Sequence, residues 1–145
     1  MSGKAEKIAA RMAGLDRRGM DRPWLDPHYA GYFEYFNRGL FYEAHDVLEQ
    51  LWLAERGGGN DLFYKGLIQL AGAFVHLRKD RVGPAAALFK LARANLMKYP
   101  PEHEHLDVRK VLALIARWLA KLEEGGGNPL TAETRPVLAL LEAPG

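Results

Sequence analysis

Residues 39–52 read Gly39-Leu40-Phe41-Tyr42-Glu43-Ala44-His45-Asp46-Val47-Leu48-Glu49-Gln50-Leu51-Trp52. Turned at 100° per residue, the spacing predicts a helix over Tyr42 to Leu53. Phe41, Leu48 and Trp52 fall within roughly 60° of His45 on one side, and Tyr42 and Glu49 within about that on the other. Ala44, Leu51 and Leu53 widen this apolar arc. Glu43, Asp46 and Gln50 occupy the opposite face, where Val47 is the one apolar exception. His45 and Glu49, four residues apart, are therefore neighbours that point where Phe, Leu and Trp point. An exposed ion pair contributes only about 0–1 kcal/mol, whereas burying an unpaired carboxylate costs several kcal/mol. If the arc is buried, Glu49 requires further partners.

The rest of the chain narrows what such a site can be. With 145 residues, 48% hydrophobic and 26% charged, the sequence has ordinary globular composition and enough length for one domain with a core. Twenty basic and 18 acidic residues leave a net charge of +2, too balanced to point to nucleic acid or an anionic membrane as partner. Without cysteine there is no disulfide, thiolate metal site or cysteine nucleophile. Met1 to Arg22 mixes basic and acidic residues with no apolar signal segment. The longest apolar run, Gly66 to Leu77, is interrupted by Gln69 and His76 and falls short of the roughly 18 residues of a membrane span. A soluble cytoplasmic protein is the expectation.

Outward from the opening stretch, Lys4 to Ala13 can form a short helix, and Pro23, Trp24 and Pro27 read as an irregular arm packed through Trp24. His28 to Asn37 predicts a helix with Tyr29, Tyr32, Phe33 and Phe36 in the core. After Trp52, Gly57-Gly58-Gly59 makes a loop rather than a phosphate cradle, because no Gly-Lys-Ser/Thr follows. Asn60 or Asp61 can cap the next helix, Leu62 to Lys79, which is apolar nearly all round and belongs at the centre of the fold. A helix opening at Gly83-Pro84 is expected to bury Leu88, Leu91, Ala92, Asn95 and Tyr99 before Pro100-Pro101 stops it. His103 and His105 read as surface residues. Asp107 can cap a helix from Val108 to Glu123 with Val111, Leu112, Ile115, Leu119 and Leu122 inward, flanked by Trp118. Thr131 to Glu142 reads as a last short helix or arm. No segment alternates with period two. The fold expected is therefore all-α: a compact orthogonal or antiparallel bundle of about five main helices, with an N-terminal arm and a short C-terminal helix. The division is an arm over 1–27, a bundle over 28–123, and a C-terminal extension over 124–145 that docks on the bundle.

One face of the central helix carries Gly66, Gln69, Gly72, Ala73 and His76. Small residues there admit a close neighbour, and the Gly-rich joint makes the preceding helix an antiparallel one. The expectation is that His45, Glu49, Gln69 and His76 meet between the two helices, beside Trp52. Residues 39–52, with Gly66-Leu67-Ile68-Gln69 and His76, resemble the small helical family called domain of unknown function 309, across about Tyr32 to Tyr99. Asp46 stands where that pattern usually has Glu. The resemblance implies a compact α bundle and marks Glu43, His45, Glu49, Trp52, Gln69 and His76 as signature positions; it supplies no reaction.

Three functions fit these residues. A buried polar network would fix the register of two helices and specify the fold. A catalytic or metal site could use His45, Glu49 and His76 for acid–base work or for a divalent metal, with Glu43, Trp52 and Gln69 as candidate ligand-binding residues. A helical interaction module vaguely similar to tetratricopeptide units would use Trp24, Trp118 or the C-terminal leucines toward a protein partner or a second copy.

Overall fold

The computed structural model describes residues 3–14 and 25–142. Six helices lie among them: α1 (Gly3–Ala13), α2 (Pro27–Asn37), α3 (Phe41–Ala54), α4 (Asp61–Arg78), α5 (Val82–Leu96) and α6 (Val108–Glu123). Consecutive helices of the bundle pack antiparallel. Between α5 and α6, the two-residue strands β1 (Glu102–His103) and β2 (Leu106–Asp107) pair as an antiparallel hairpin.

The centre is α4, as its all-round apolar pattern requires. Leu67, Leu70, Ala71, Ala73, Phe74 and Leu77 are fully buried, enclosed by α2, α3 and α5. Phe74 meets Phe36 of α2, Phe41 of α3, Phe89 of α5 and Trp118 of α6 at ring-centroid distances of 5.7, 5.0, 5.1 and 4.9 Å. One aromatic thus touches four other helices. Tyr32, also fully buried, donates its hydroxyl hydrogen to the Leu67 carbonyl at 2.6 Å; burial pushes that phenol well above its ordinary pKa and keeps it a donor.

Several expectations change. The two glycines of the small-residue face on α4 receive α5 rather than α3. A Cβ at Gly66 would lie 2.9 Å from Leu96 Cγ, and one at Gly72 3.2 Å from Leu88 Cδ1. On α5, Ala85, Phe89, Ala92 and Leu96 are buried while Leu91 is 51% exposed. The edge-to-face contact of Phe89 with Phe74 sets this rotation, about one residue from the stripe expected. Trp118 is buried in the core and presents no free surface. Trp24, expected to pack along the domain, lies outside the described residues, as do residues 15–23 of the predicted arm, whereas residues 3–13 of that arm form α1.

The short C-terminal helix is absent. Residues 128–142 run without helix along the bundle. Asn128 donates to the Leu77 carbonyl. The Asn37 side chain accepts from Leu138 N at 2.7 Å and donates to Leu138 O at 2.8 Å. Leu140 bridges Leu106, and Leu141 N donates to His105 O at 2.7 Å. Pro129 and Pro136 lack the N–H a helix needs, and the Thr131 and Thr134 hydroxyls bond local backbone instead. His103 and His105, expected at the surface, belong to the hairpin. Glu104 and His105 both adopt positive φ, 46° and 59°, as a two-residue turn of this hand demands. Tyr29 Oη donates to the Glu104 carbonyl and helps hold the turn.

Helices α2 and α4 end in the same way. Leu40 N bonds Tyr35 O while Gly39 N bonds Phe36 O; Arg81 N bonds His76 O while Asp80 N bonds Leu77 O. Both are Schellman caps, and the residue in the left-handed position is Gly39 at φ 78° in one and Asp80 at φ 56° in the other. Gly39→Ala is expected to lose about 1–2 kcal/mol or more from the left-handed strain alone. Asp80→Gly should gain about 0.5–1 kcal/mol, the relieved strain being partly offset by a more flexible unfolded chain. Urea midpoints of the two variants should therefore move in opposite directions.

Candidate functional site

The polar residues of α3 divide between two surroundings. On one side lies α1, an amphipathic helix whose Ile8 is buried. Its Lys4 pairs with Glu49 and its Arg11 with Asp46. The Arg11 guanidinium lies over the Tyr42 ring, 5.4 Å from the centroid, and the Tyr35 hydroxyl donates to the Arg11 carbonyl. The hydrogen bond to Glu49 raises the Lys4 pKa. Asp46, expected to face solvent, is only 7% exposed because α1 covers it. Val47, the apolar exception on that supposed polar face, is fully buried. The wheel of α3 alone could not show that helices pack around most of its circumference.

On the other side, His45 joins residues of α4 and α5 around an open cleft of about 270 Å³. His45, Gln69 and His76 supply its polar groups; Tyr42, Ile68, Val75 and Leu88 form its walls, and Gly72 its floor. His45 Nδ1 sits 3.0 Å from Asp46 Oδ1, and its Nε2 is 3.7 Å from Glu49 Oε2. The nearer carboxylate orients the ring with Nδ1 as donor, so in the neutral imidazole Nε2 carries the lone pair. Asn95 of α5 donates to Gln69 Oε1 at 2.8 Å, which leaves the Gln69 amide hydrogens for other partners. His76 Nδ1 is buried with no hydrogen-bond partner.

The four side chains expected together do not form one buried cluster. His45, Gln69 and His76 share the cleft, but Glu49 turns to Lys4 and the rim of His45. The His45 side chain is 30% exposed. Among the described residues, no three His, Asp or Glu side chains are grouped to hold a metal ion, so His45, Glu49 and His76 are not a ligand set here. Glu43 lies apart, beside a second shallow cleft with Leu40, Arg78 and Lys79. Trp52 points to the loop between α3 and α4, where its Nε1 donates to Asp61 Oδ1 at 2.6 Å.

That loop holds what residue patterns missed. Asp61 Oδ2 accepts from Gly57 N at 2.8 Å, so one carboxylate ties the end of α3, the glycine loop and the start of α4. These bonds, the Gly57 one first, hold the Asp61 pKa below its ordinary value. Tyr99 Oη donates to Gly59 O and accepts from Phe63 N. Asn60, expected as a possible cap, makes no capping bond; its Oδ1 accepts from His103 Nε2 at 2.6 Å. The sequence signal for Asp61 was its position after a run of glycines. Its partner could not be read, because Trp52 looked like a member of the apolar arc.

Residues 29–88 match the family described as Domain of unknown function (DUF309), and the chain carries that domain. The match spans α2, α3, α4 and the first half of α5; α1 and α6 lie outside it. No curated protein and no solved structure matches the chain. No helix among the described residues is long and apolar enough to cross a membrane.

Because the folded state holds Asp61 ionised below its unfolded pKa, its contribution to stability is present above about pH 4 and is lost as pH falls through the folded value. Asp61→Asn should remove that acid-side loss. In amide and indole NMR spectra, the Trp52 Nε1–H resonance should move in this acid window in the native sequence and stay still in the variant. Asp46→Ala should destabilise by about 1–3 kcal/mol because it strands half-buried Arg11. His45→Ala, with a partly exposed ring, should cost less than about 1 kcal/mol. Chemical denaturation of the two variants checks the order.

Proposed function

We propose that the domain binds a small ligand in the cleft between α3, α4 and α5. The observation that carries this reading is the convergence of His45, Gln69 and His76 on one cleft with apolar walls. Each polar group has unspent hydrogen-bonding capacity. Asn95 occupies only the oxygen of Gln69, and Asp46 engages only Nδ1 of His45. A buried polar atom without a partner costs about 1–3 kcal/mol, so a bound group that reached His76 Nδ1 would recover that loss. A few placed polar groups on apolar walls are the usual build of a small-molecule site. The ligand that suits them is a small, partly apolar molecule with both hydrogen-bond donors and acceptors.

The lining holds no Ser, Thr, Lys or carboxylate. His45 with Asp46 could move a proton at Nε2, but no second group stands ready for covalent chemistry, and binding is the simpler function. A second reading rests on the charge pairs Lys4–Glu49 and Arg11–Asp46: the acidic residues of α3 would serve the structure, fixing where α1 docks. The two readings concern different sides of α3 and can both hold.

The test is a set of small aromatic and heterocyclic amide fragments titrated against the protein while amide resonances are followed. Binding at the cleft should shift Gln69, Gly72 and His76 saturably, and His45→Ala or Gln69→Ala should weaken it about tenfold while changing stability little. Fragments that bind the variants as well as the native protein, or that shift residues elsewhere only, would remove this reading.

A further inference from the structure

At the C-terminal end of α4, two arginines crowd one glycine. Gly39 occupies the left-handed cap position of α2, and a Cβ there would lie 2.5 Å from Arg135 Cδ, 3.1 Å from Arg78 Nη2 and 3.4 Å from Arg135 Nη1. The two guanidinium nitrogens can be no further apart than the last two distances laid end to end. Both side chains are positioned. Arg135 Nη1 donates to the Arg38 carbonyl at 3.2 Å, and the Arg78 guanidinium lies 5.2 Å from the centre of the Phe41 ring. Among the described residues, no carboxylate pairs with either one. The carboxyl ends of α2 and α4 favour cations here, which accounts for the sign of the charge but gives no anionic partner.

Both arginines line a cleft of about 330 Å³ with Asn128 and Thr131 as further polar groups and Leu130 and Ala132 as walls. No acidic residue lines it. We propose that this cleft is an oxyanion-binding site, in which Arg78 and Arg135 together hold a phosphate or carboxylate group. Two adjacent guanidinium groups present planar pairs of donors that match the oxygens of either group. A shared anion would also relieve the repulsion between the two cations. The site is independent of the cleft at His45: it draws on the C-terminal segment, which the family match does not reach. It also gives Gly39 a role beyond its cap, since any side chain there would occupy the space the arginines share.

The experiment titrates the full chain with inorganic phosphate, and separately with succinate, at constant ionic strength while amide resonances are recorded. Saturable shifts centred on Thr131, Arg135 and Gly39 are expected with at least one anion. Saturation with phosphate alone identifies a phosphoryl group as the natural ligand chemistry, and saturation with succinate alone a carboxylate. Arg78→Gln and Arg135→Gln should each weaken binding at least tenfold, Arg78→Lys should weaken it less than Arg78→Gln, and Arg93→Gln, on the exposed side of α5, should leave it unchanged. Should Arg135→Gln fail to fold, the two Arg78 variants read the site alone. Linear, unsaturable shifts with both anions, or equal weakening by Arg93→Gln, would overturn the proposal.

Discussion

A helix that is apolar on nearly every side can be stable in water only if other elements enclose it, and α4 imposes that condition on the whole chain. The enclosing helices have to approach closely, because a void beside a buried side chain forfeits both burial and dispersion energy. Gly66 and Gly72 let α5 press against α4 at Leu96 and Leu88. Phe74 then collects aromatic contacts from α2, α3, α5 and α6. The Tyr32 hydroxyl reaches a carbonyl in the middle of α4 without leaving a buried donor unpaired. Tight joints follow from the same demand. The glycine loop before α4 and the left-handed caps after α2 and α4 let each helix reverse onto its neighbour within a few residues.

Polar residues that belong to such a bundle are pushed to its rims, and the charged side chains of α3 illustrate the consequence. Asp46 and Glu49 find cations on α1. Trp52 finds a carboxylate on the following loop. His45, Gln69 and His76 remain facing a cleft in which only part of their hydrogen-bonding capacity is used. A motif that looks like one cluster on a helical wheel is therefore shared among three tasks: docking an N-terminal helix, closing a loop, and lining a cavity. The family match contains all the motif residues but not α1, so the partners of Asp46 and Glu49 come from a part of the chain outside the shared domain.

Much of this was legible from residue order alone, and for a definite reason. Helix position and length depend on local periodicity, capping residues and breakers, all of which are short-range. Pro27, Asp107, the two glycine runs and Pro100-Pro101 bracket helices that the structure places within a few residues of expectation. The burial of α4 and of the α2 aromatics follows from composition along a face, another local property. Local patterns thus set an all-helical bundle, its order of helices, its central element, and the residues worth watching. Which neighbour each face meets was settled by packing between distant parts of the chain. Asp46 became buried because α1 returns to α3 across more than thirty residues of chain. α5 took the glycine face of α4 because Phe89 packs on Phe74, and Arg135 reached Gly39 because proline and threonine kept the C-terminal segment from forming a helix. Those outcomes depend on long-range packing of whole surfaces, where rotating a helix by one residue exchanges partners at little local cost, and no local pattern in the sequence records that choice.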